Sequence, residues 1–320
     1  HRIISKGRFI YLPVTGIDAE AESFAQSIRA VRTQAAFAAT RARGMAKANR
    51  LLKNRAGASK AYDVLGNIAI INKMNANDAK KFAKEIMRAN KRVKTVVMKS
   101  GAVSGKYRTR GYAHILGERN YVAAYRENGC VFVFDIRKAF FSARLAYERK
   151  RIAEQVKEGE HVMVMFAGVG PFAIEIAKAR KRASVVAIEL NSYAYESMLE
   201  NIRLNKTANV VAVKGDVRKK SGQYRNWADR IVMPLPKSAA SFFESVAAVA
   251  KKKCVVHYYA FGDRQNAFES ERKKIEDFFE KRGFKVGFVF ERRVREYSPG
   301  EIEIVLDFTL RNVQNAYKTK

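Results

Sequence analysis

From about Ala146 onward, short apolar runs alternate with longer amphipathic stretches. Apolar runs bounded by turn signals read as buried strands, and apolar positions recurring every three to four residues read as helix faces. The pattern predicts strands near 161–165, 184–189, 209–214, 229–233, 253–258, 285–292 and 302–310. It predicts helices near 172–180, 193–204, 238–250 and 265–282. Five strands alternate with helices, as parallel β-α-β units do, and the last two are joined through Ser298-Pro299-Gly300 as an antiparallel pair. The front half is less regular. Residues 8–14 (RFIYLPV) read as a strand, and 17–57, rich in Ala, Arg and Lys, suit helix. Lys60–Asn72 read as a strand pair around Gly66. A helix is predicted over 77–91 with Asn77 and Asp78 as caps. Strands follow at VKTVVMK and YVAAYRENGCVFVFD, with a hairpin turn at Asn128-Gly129.

Within this pattern, HVMVMFAGVGPF (161–172) passes from an apolar run through a glycine-rich turn into the helical AIEIAKA. Nineteen to twenty-one residues past Gly170 and Gly168, the run VVAIEL carries the acid Glu189. A strand, a turn whose backbone can approach a ligand, a helix and a strand ending in a carboxylate suit an adenosine-type nucleoside. Only two glycines occur, followed by Pro171, so the full dinucleotide fingerprint is missing. A plain tight strand-to-helix connection is the competing reading. The closing antiparallel pair makes a seven-stranded sheet, the shape of class I methyltransferases, and nicotinamide-binding domains usually lack that ending.

Charge adds a partner. Among 320 residues, 62 Lys and Arg face 31 Asp and Glu, a net charge of +31. Such a chain attracts polyanions, nucleic acid foremost. The basic residues are concentrated forward: nine Lys/Arg and no acid between Arg29 and Lys60, and eleven with only Glu85 between Lys80 and Arg110. A basic, partly helical region (1–60), a small α+β RNA-binding domain (61–145) and a Rossmann-like α/β methyltransferase domain (146–320) are therefore expected. Cys130 and Cys254 lie apart in apolar runs and read as buried thiols, and the four histidines form no cluster, so no metal is expected. No stretch approaches the roughly 20 apolar residues of a membrane span, and no signal-peptide pattern opens the chain. A cytoplasmic monomer without a membrane partner is the expectation, and the opening His1 suggests a trimmed N-terminus.

Seven segments then carry a resemblance: SGKYRTRGYAHILGE (104–118), ENGCVFVFDIRKAFFSARLAYER (127–149), MFAGVGPF (165–172), AIELN (187–191), GDVR (215–218), ADRIVMPLPKSA (228–239) and HYYAFG (257–262). Together they resemble the archaeal and eukaryotic tRNA guanine-N1 methyltransferases that modify guanosine 37, beside the anticodon. The resemblance implies S-adenosylmethionine as cofactor and tRNA as substrate. It puts the cofactor against Phe166, Ala167, Gly168, Gly170 and Pro171, against Glu189 and Leu190, Asp216 and Val217, and Pro234 and Leu235. Glu189 would hold the ribose, or be a solvated acid. Asp216 would approach the adenine amino group, or serve as a helix cap.

Methylation at guanine N1 needs a base for the N1 proton and a donor for charge building on O6. The resemblance implies Glu148 and Arg108 for these roles. Spacing alone leaves both open: Glu148 lies four residues from Arg144, as in a helix salt bridge, and Arg108 in KYRTR equally suits a phosphate. Phe140, Phe141, Arg144, Arg149, Pro236, Lys237 and Ser238 are the further expected tRNA contacts, the two phenylalanines either stacking on the base or filling the core. Three departures stand out: Pro234 where many relatives have Asn, Val164 where an acid is common, and Ala143 where Pro is usual. Competing activities are a wyosine-pathway aminocarboxypropyl transferase and a bifunctional enzyme that also methylates the tricyclic wyosine intermediate. A pyrimidine C5 methylase would need a nucleophilic cysteine near MPLP, which is absent from that segment. A non-enzymatic RNA-binding module explains the charge but not the cofactor constellation.

Overall fold

A computed structural model describes residues 4–6, 9–11, 62–105 and 107–313. The helix expected over 17–57 lies outside them. Strands β1 (Ile4–Lys6) and β2 (Phe9–Tyr11) form a short antiparallel pair, the second within the strand expected at 8–14.

The first larger unit pairs β3 (Tyr62–Leu65) with β4 (Ile68–Ile71) across Gly66, as the apolar pattern required. Helix α1 (Ala76–Ala89) then crosses back so that β5 (Thr95–Ser104) runs parallel to β4, and β6 (Thr109–Gly117) closes the sheet β3-β4-β5-β6. The cap of α1 is Asn75, not Asn77 or Asp78. Asn75 Oδ1 accepts from the Asp78 N–H at 2.8 Å, and its amide donates to Asp78 Oδ2 at 2.7 Å. That reciprocal exchange satisfies orphan groups of the first turn. Ala79, Phe82, Ala83 and Ile86 line the helix face buried on the sheet.

The hairpin β7 (Val122–Glu127) and β8 (Cys130–Asp135) turns at Asn128 and Gly129, both at positive φ. It bridges the two halves of the molecule. Phe132 and Phe134 share a core with Ile68 and Val97 on one side and Val169 and Ile174 on the other.

The C-terminal unit contains α2 (Ala146–Gln155), β9 (His161–Met165), α3 (Pro171–Ala179), β10 (Ser184–Glu189), α4 (Ser192–Asn205), β11 (Val210–Lys214) and α5 (Val217–Lys220). It continues with β12 (Ala228–Met233), α6 (Phe243–Val249), β13 (Ala250–Asp263), α7 (Ala267–Glu280), β14 (Phe284–Ser298) and β15 (Glu301–Asn312). The sheet order is β11-β10-β9-β12-β13-β15-β14, with β15 antiparallel to both neighbours. All seven expected strands are present. The helix expected over 238–250 is split into a 3-10 turn (Ala239–Phe242) and the short α6, with the Ser241 hydroxyl bonding back to the Ser238 carbonyl. Side chains at alternate strand positions fill two cores. Met163 and Met165 face α6 and α7, while Val162 and Val164 face α2 and α3. Val164 is fully buried, so an acid in its place would need a buried partner.

On α4 the Asn205 side chain accepts from the Val131 N–H of β8 and the Asn201 side chain from the Val133 N–H, each at 2.8 Å, and the Tyr193 hydroxyl accepts from Asp135 N–H. These bonds dock the hairpin on the C-terminal unit and fix where the chain segment carrying Phe140 crosses the sheet.

Candidate active site

In a doubly wound sheet, ligands bind beyond the strand C-termini where the strand order reverses, here between β9 and β12. The turn after β9 lies there. Phe166, Gly168 and Gly170 have φ of 59°, 59° and 90°. A Cβ on Gly170 would sit 2.8 Å from Met198 Cγ, so only glycine lets the turn close. A Cβ on Gly168 would meet nothing nearer than the Phe140 carbonyl at 3.8 Å and would stand in open space on the cavity wall. The Glu189 carboxylate spans the turn. Oε2 accepts from Gly168 N–H and Oε1 from Asn191 N–H, both at 2.7 Å. Burial raises its pKa, and the N–H groups of Asn191, Gly168 and Leu190 oppose that rise.

The cavity beside this turn measures about 570 Å³. Leu190, Asp216, Val217, Pro234 and Leu235 line it as expected, and Pro236, Lys237 and Ser238 continue the wall. Asp216 lines the cavity and also caps α5, as the cap reading expected, by accepting from Arg218 N–H at 2.9 Å. The Pro236 carbonyl already accepts from Phe261 N–H at 3.1 Å, and that of Leu235 from Ser238 N–H at 3.3 Å. Each keeps a second lone pair for a base edge. An aromatic wall was not foreseen. Phe242 packs edge-on against Phe166 at 4.6 Å, with the Arg218 guanidinium 4.0 Å over its ring.

The strand pair β5–β6 reaches over this cavity and delivers Arg108 from its turn. Arg108 sits at φ 54°, a strained conformation for a side-chain-bearing residue, and its guanidinium lies 5.3 Å over the exposed ring of Phe140. Its Nη1 is buried without a hydrogen-bond partner. Burial lowers its pKa, partly countered by Glu303 and Tyr297. An unpaired buried guanidinium N–H is the kind of donor that a developing oxyanion satisfies. A second cavity of about 270 Å³ adjoins the first and shares Arg108, Phe140 and Arg295 with it.

Several expected residues are not brought to the cavity. Glu148 is 1% exposed on α2 and belongs to a buried network. Its Oε2 accepts from Arg151 at 3.0 Å and from the Tyr259 hydroxyl at 3.0 Å, and Arg292 lies 3.3 Å from Oε1. It makes no pair with Arg144, which instead binds Asp63 of the small domain at 3.0 Å. Glu148 lines neither cavity; Arg151, Tyr259 and Arg292 surround it, and its Oε1 is buried without a hydrogen-bond partner. Arg149 is 1% exposed and paired with Glu127 at 2.6 Å and Glu175 at 3.4 Å, and it too lines neither cavity. Phe141 packs on Phe134 with centroids 4.9 Å apart and reaches only the smaller cavity, which Arg144 also lines, so of the two phenylalanines Phe140 alone faces the larger one. Ala167, Gly170 and Pro171 shape the turn from behind: the Ala167 N–H donates to the Ile188 carbonyl, and Pro171 opens α3.

Arg295 and Glu303 on the final strand pair complete the cavity wall and were not singled out by sequence. Among the described residues no group of three or more His, Cys, Asp or Glu is placed to hold a metal, and no helix is long and apolar enough to cross a membrane.

A seven-stranded sheet of this order, with a glycine turn and carboxylates closing successive strands at its switch point, defines a class I methyltransferase. Comparison with known proteins narrows the class. Residues 123–287 match the TRM5/TYW2 methyltransferase domain and residues 49–120 the TYW2 N-terminal domain. The chain is 41% identical to the tRNA (guanine(37)-N(1))-methyltransferase Trm5b of Pyrococcus abyssi, over 78% of this chain and 74% of the relative. It is 34% identical to the tRNA 4-demethylwyosine(37)-methyltransferase Taw21 of Saccharolobus solfataricus (78% and 93%). It is 31% identical to a tRNA(Phe) (4-demethylwyosine(37)-C(7)) aminocarboxypropyltransferase of Methanocaldococcus jannaschii (77% and 96%). Among solved structures, aTrm5 in complex with tRNALeu aligns with a TM-score of 0.72 at 28% identity, covering 97% of this chain and 92% of that one. Methanocaldococcus jannaschii TYW2 in complex with AdoMet aligns at 0.64 and 26%, covering 79% and 100%. The chain belongs to the TRM5/TYW2 methyltransferase family, as the sequence motifs implied.

Proposed function

We propose that this chain transfers the methyl group of S-adenosylmethionine to N1 of guanosine 37 in tRNA. The observation that carries the reading is one continuous cavity with nucleoside-holding carboxylates at one end and Arg108 over Phe140 at the other. The residues fit the cofactor. Gly168 leaves open space where any side chain would intrude, and Glu189 presents a buried carboxylate to ribose hydroxyls. Asp216 faces the adenine end, and Pro234 and Leu235 close the opposite wall. The bound cofactor supplies an electrophilic methyl carbon on a sulfonium. Arg108 donates to guanine O6 as negative charge builds there, and Phe140 offers a ring face to the extruded base.

The outward face of α1 and the loop after it present Lys80, Lys81, Lys84, Arg88, Lys91, Arg92 and Lys94, all exposed. This row suits the phosphate backbone of tRNA. The buried free thiols Cys130 and Cys254 suit a reducing, cytoplasmic setting.

Two relatives act at the same nucleotide with different outcomes, so the product decides. Mass spectrometry of tRNA nucleosides after incubation with the cofactor is expected to show a single methyl on N1 of guanosine 37. An aminocarboxypropyl addition, or methylation confined to the tricyclic wyosine intermediate, would replace this reading with the corresponding rival.

A further inference from the structure

We propose that the smaller cavity is a phosphate subsite, in which Arg110 holds a backbone phosphate next to the extruded guanosine. The inference rests on the methyl-transfer reading above, which puts the target base in the larger cavity. The two cavities share Arg108, Phe140 and Arg295. A nucleotide whose base reaches Phe140 therefore brings its own flanking phosphates to the wall between them.

The small domain builds that wall. Side chains two apart on a strand share a face. Arg110 and Tyr112 of β6 are so spaced, and Lys99 of β5 stands in register with Tyr112. All three line the smaller cavity, on the side of the sheet away from α1. Five cations line it, Lys99, Arg108, Arg110, Arg144 and Arg295, against two carboxylates, Asp63 and Glu296. Asp63 is shared by Lys99 at 3.6 Å and Arg144 at 3.0 Å, Arg295 is bound by Glu303, and Glu296 is taken by Arg264 at 2.6 Å. Arg110 is different. Among the described residues it makes no ion pair, and its half-buried side chain keeps Nε buried without a hydrogen-bond partner. The excess charge reaches its neighbours: burial lowers the Lys99 pKa, Asp63 opposes that, and Arg110 and Arg144 lower it further.

A buried donor on an unpaired cation is costly until an anion meets it. The wall offers guanidinium and ammonium groups, with hydroxyls from Thr109 and Ser142 beside them. Such a set suits an anion that accepts hydrogen bonds and has none to donate, as a phosphodiester does. A base edge, which carries donors as well, would leave them facing cations. The carboxylate of the cofactor is the rival anion, and binding without RNA separates the two. Holding the backbone here fixes the sugar of the target nucleotide while its base is out of the stack.

The test is a double-mutant cycle on full tRNA carrying a neutral methylphosphonate at one or the other phosphate flanking guanosine 37. Binding is measured for wild type, Arg110→Gln and Arg110→Lys, with cofactor affinity taken separately without RNA. Arg110→Gln is expected to weaken binding of unmodified tRNA roughly 10–100-fold. It should also lower the slope of log affinity against log salt by about 0.7. One of the two methylphosphonates should cost wild type a similar factor and cost Arg110→Gln almost nothing more, because both changes remove the same contact. Arg110→Lys should recover part of the loss. Additive losses at both phosphates overturn the proposal, as does tRNA binding by Arg110→Gln within a few-fold of wild type. Weakened cofactor binding by Arg110→Gln without RNA also overturns it and assigns the cavity to the cofactor carboxylate. If Arg110→Gln does not fold, Lys99→Gln on the same wall enters the cycle: non-additivity with one methylphosphonate supports the subsite, and additivity with both overturns it. A wild type that places no methyl on guanosine 37 overturns the functional reading itself, and that outcome is separate from any variant effect.

Discussion

Two sets of buried charges differ in what they face: one lies in the core of the C-terminal unit, the other at the cavity, where the small domain delivers Arg108. In the core, Glu160, Arg230, His257, Asp307, Arg151 and Glu148 form a chain. Arg230 binds Glu160 at 2.8 Å and His257 Nε2 at 2.8 Å, and His257 Nδ1 meets Asp307 Oδ1 at 2.7 Å. Burial lowers the His257 pKa, so the ring is neutral and donates from Nδ1. Burial alone would raise Asp307, but His257 and Arg151 outweigh it and hold its carboxyl below the usual range. Arg108 Nη1 and Glu148 Oε1 are both buried without a hydrogen-bond partner, but Arg108 lines the cavity and Glu148 lies inside the core network. Charges bound to one another in a core specify its packing, while a donor on a cavity wall is open to a ligand.

The largest expected effect is on the core side. Arg151→Met removes the partner shared by Glu148 and Asp307 and should destabilise the fold by about 3–5 kcal/mol. Chemical denaturation would measure it, and a loss below about 1 kcal/mol would show that the network contributes little. On the open side, Arg108→Ala should slow single-turnover transfer about 10²–10³-fold while the unfolding midpoint barely moves. An equal rate would remove Arg108 from the O6 contact. Glu189→Ala should weaken cofactor binding by about 1.5–3 kcal/mol in calorimetry, and unchanged affinity would take Glu189 out of the site.

A smaller effect sharpens the contrast from a third cluster, where Arg149 serves both Glu127 and Glu175. Burial, then the neighbouring Glu127, hold the Glu175 pKa above the ordinary carboxylate range. A raised folded pKa means that this contribution is complete below the unfolded value of about 4.5 and is lost as pH rises through neutrality. Glu175→Gln, which stays neutral, should flatten that decline in a series of melting curves from pH 5 to 9. A variant as pH-dependent as wild type would mean that Glu175 is ionised in the folded protein.

The glycine-turn end of the cavity was legible because its demands are local. Gly168, Gly170 and Glu189 sit on consecutive elements at a spacing set by one β-α-β unit. The Arg108 end of the cavity is assembled from distant parts of the chain, the β5–β6 turn and the last strand, and no spacing rule connects Arg108 with Glu303. In EIEIVLDF, Glu301, Glu303 and Asp307 alternate with apolar residues, so the strand reads as one wet face and one dry face. The covering of that face by α2 and the small domain is a tertiary fact, and it turns two apparent surface acids into a cavity wall and a core ion pair. The Arg144–Glu148 pair that the spacing suggested is absent for the same tertiary reason: Asp63 claims Arg144 from another domain.

The most direct measurement is a crystal structure of the chain with S-adenosylhomocysteine and a tRNA anticodon stem-loop bearing guanosine 37. The account predicts the flipped guanine between Phe140 and the Pro234–Pro236 wall, with Arg108 on O6. A guanine placed away from Phe140, with Arg108 on a phosphate, would contradict it.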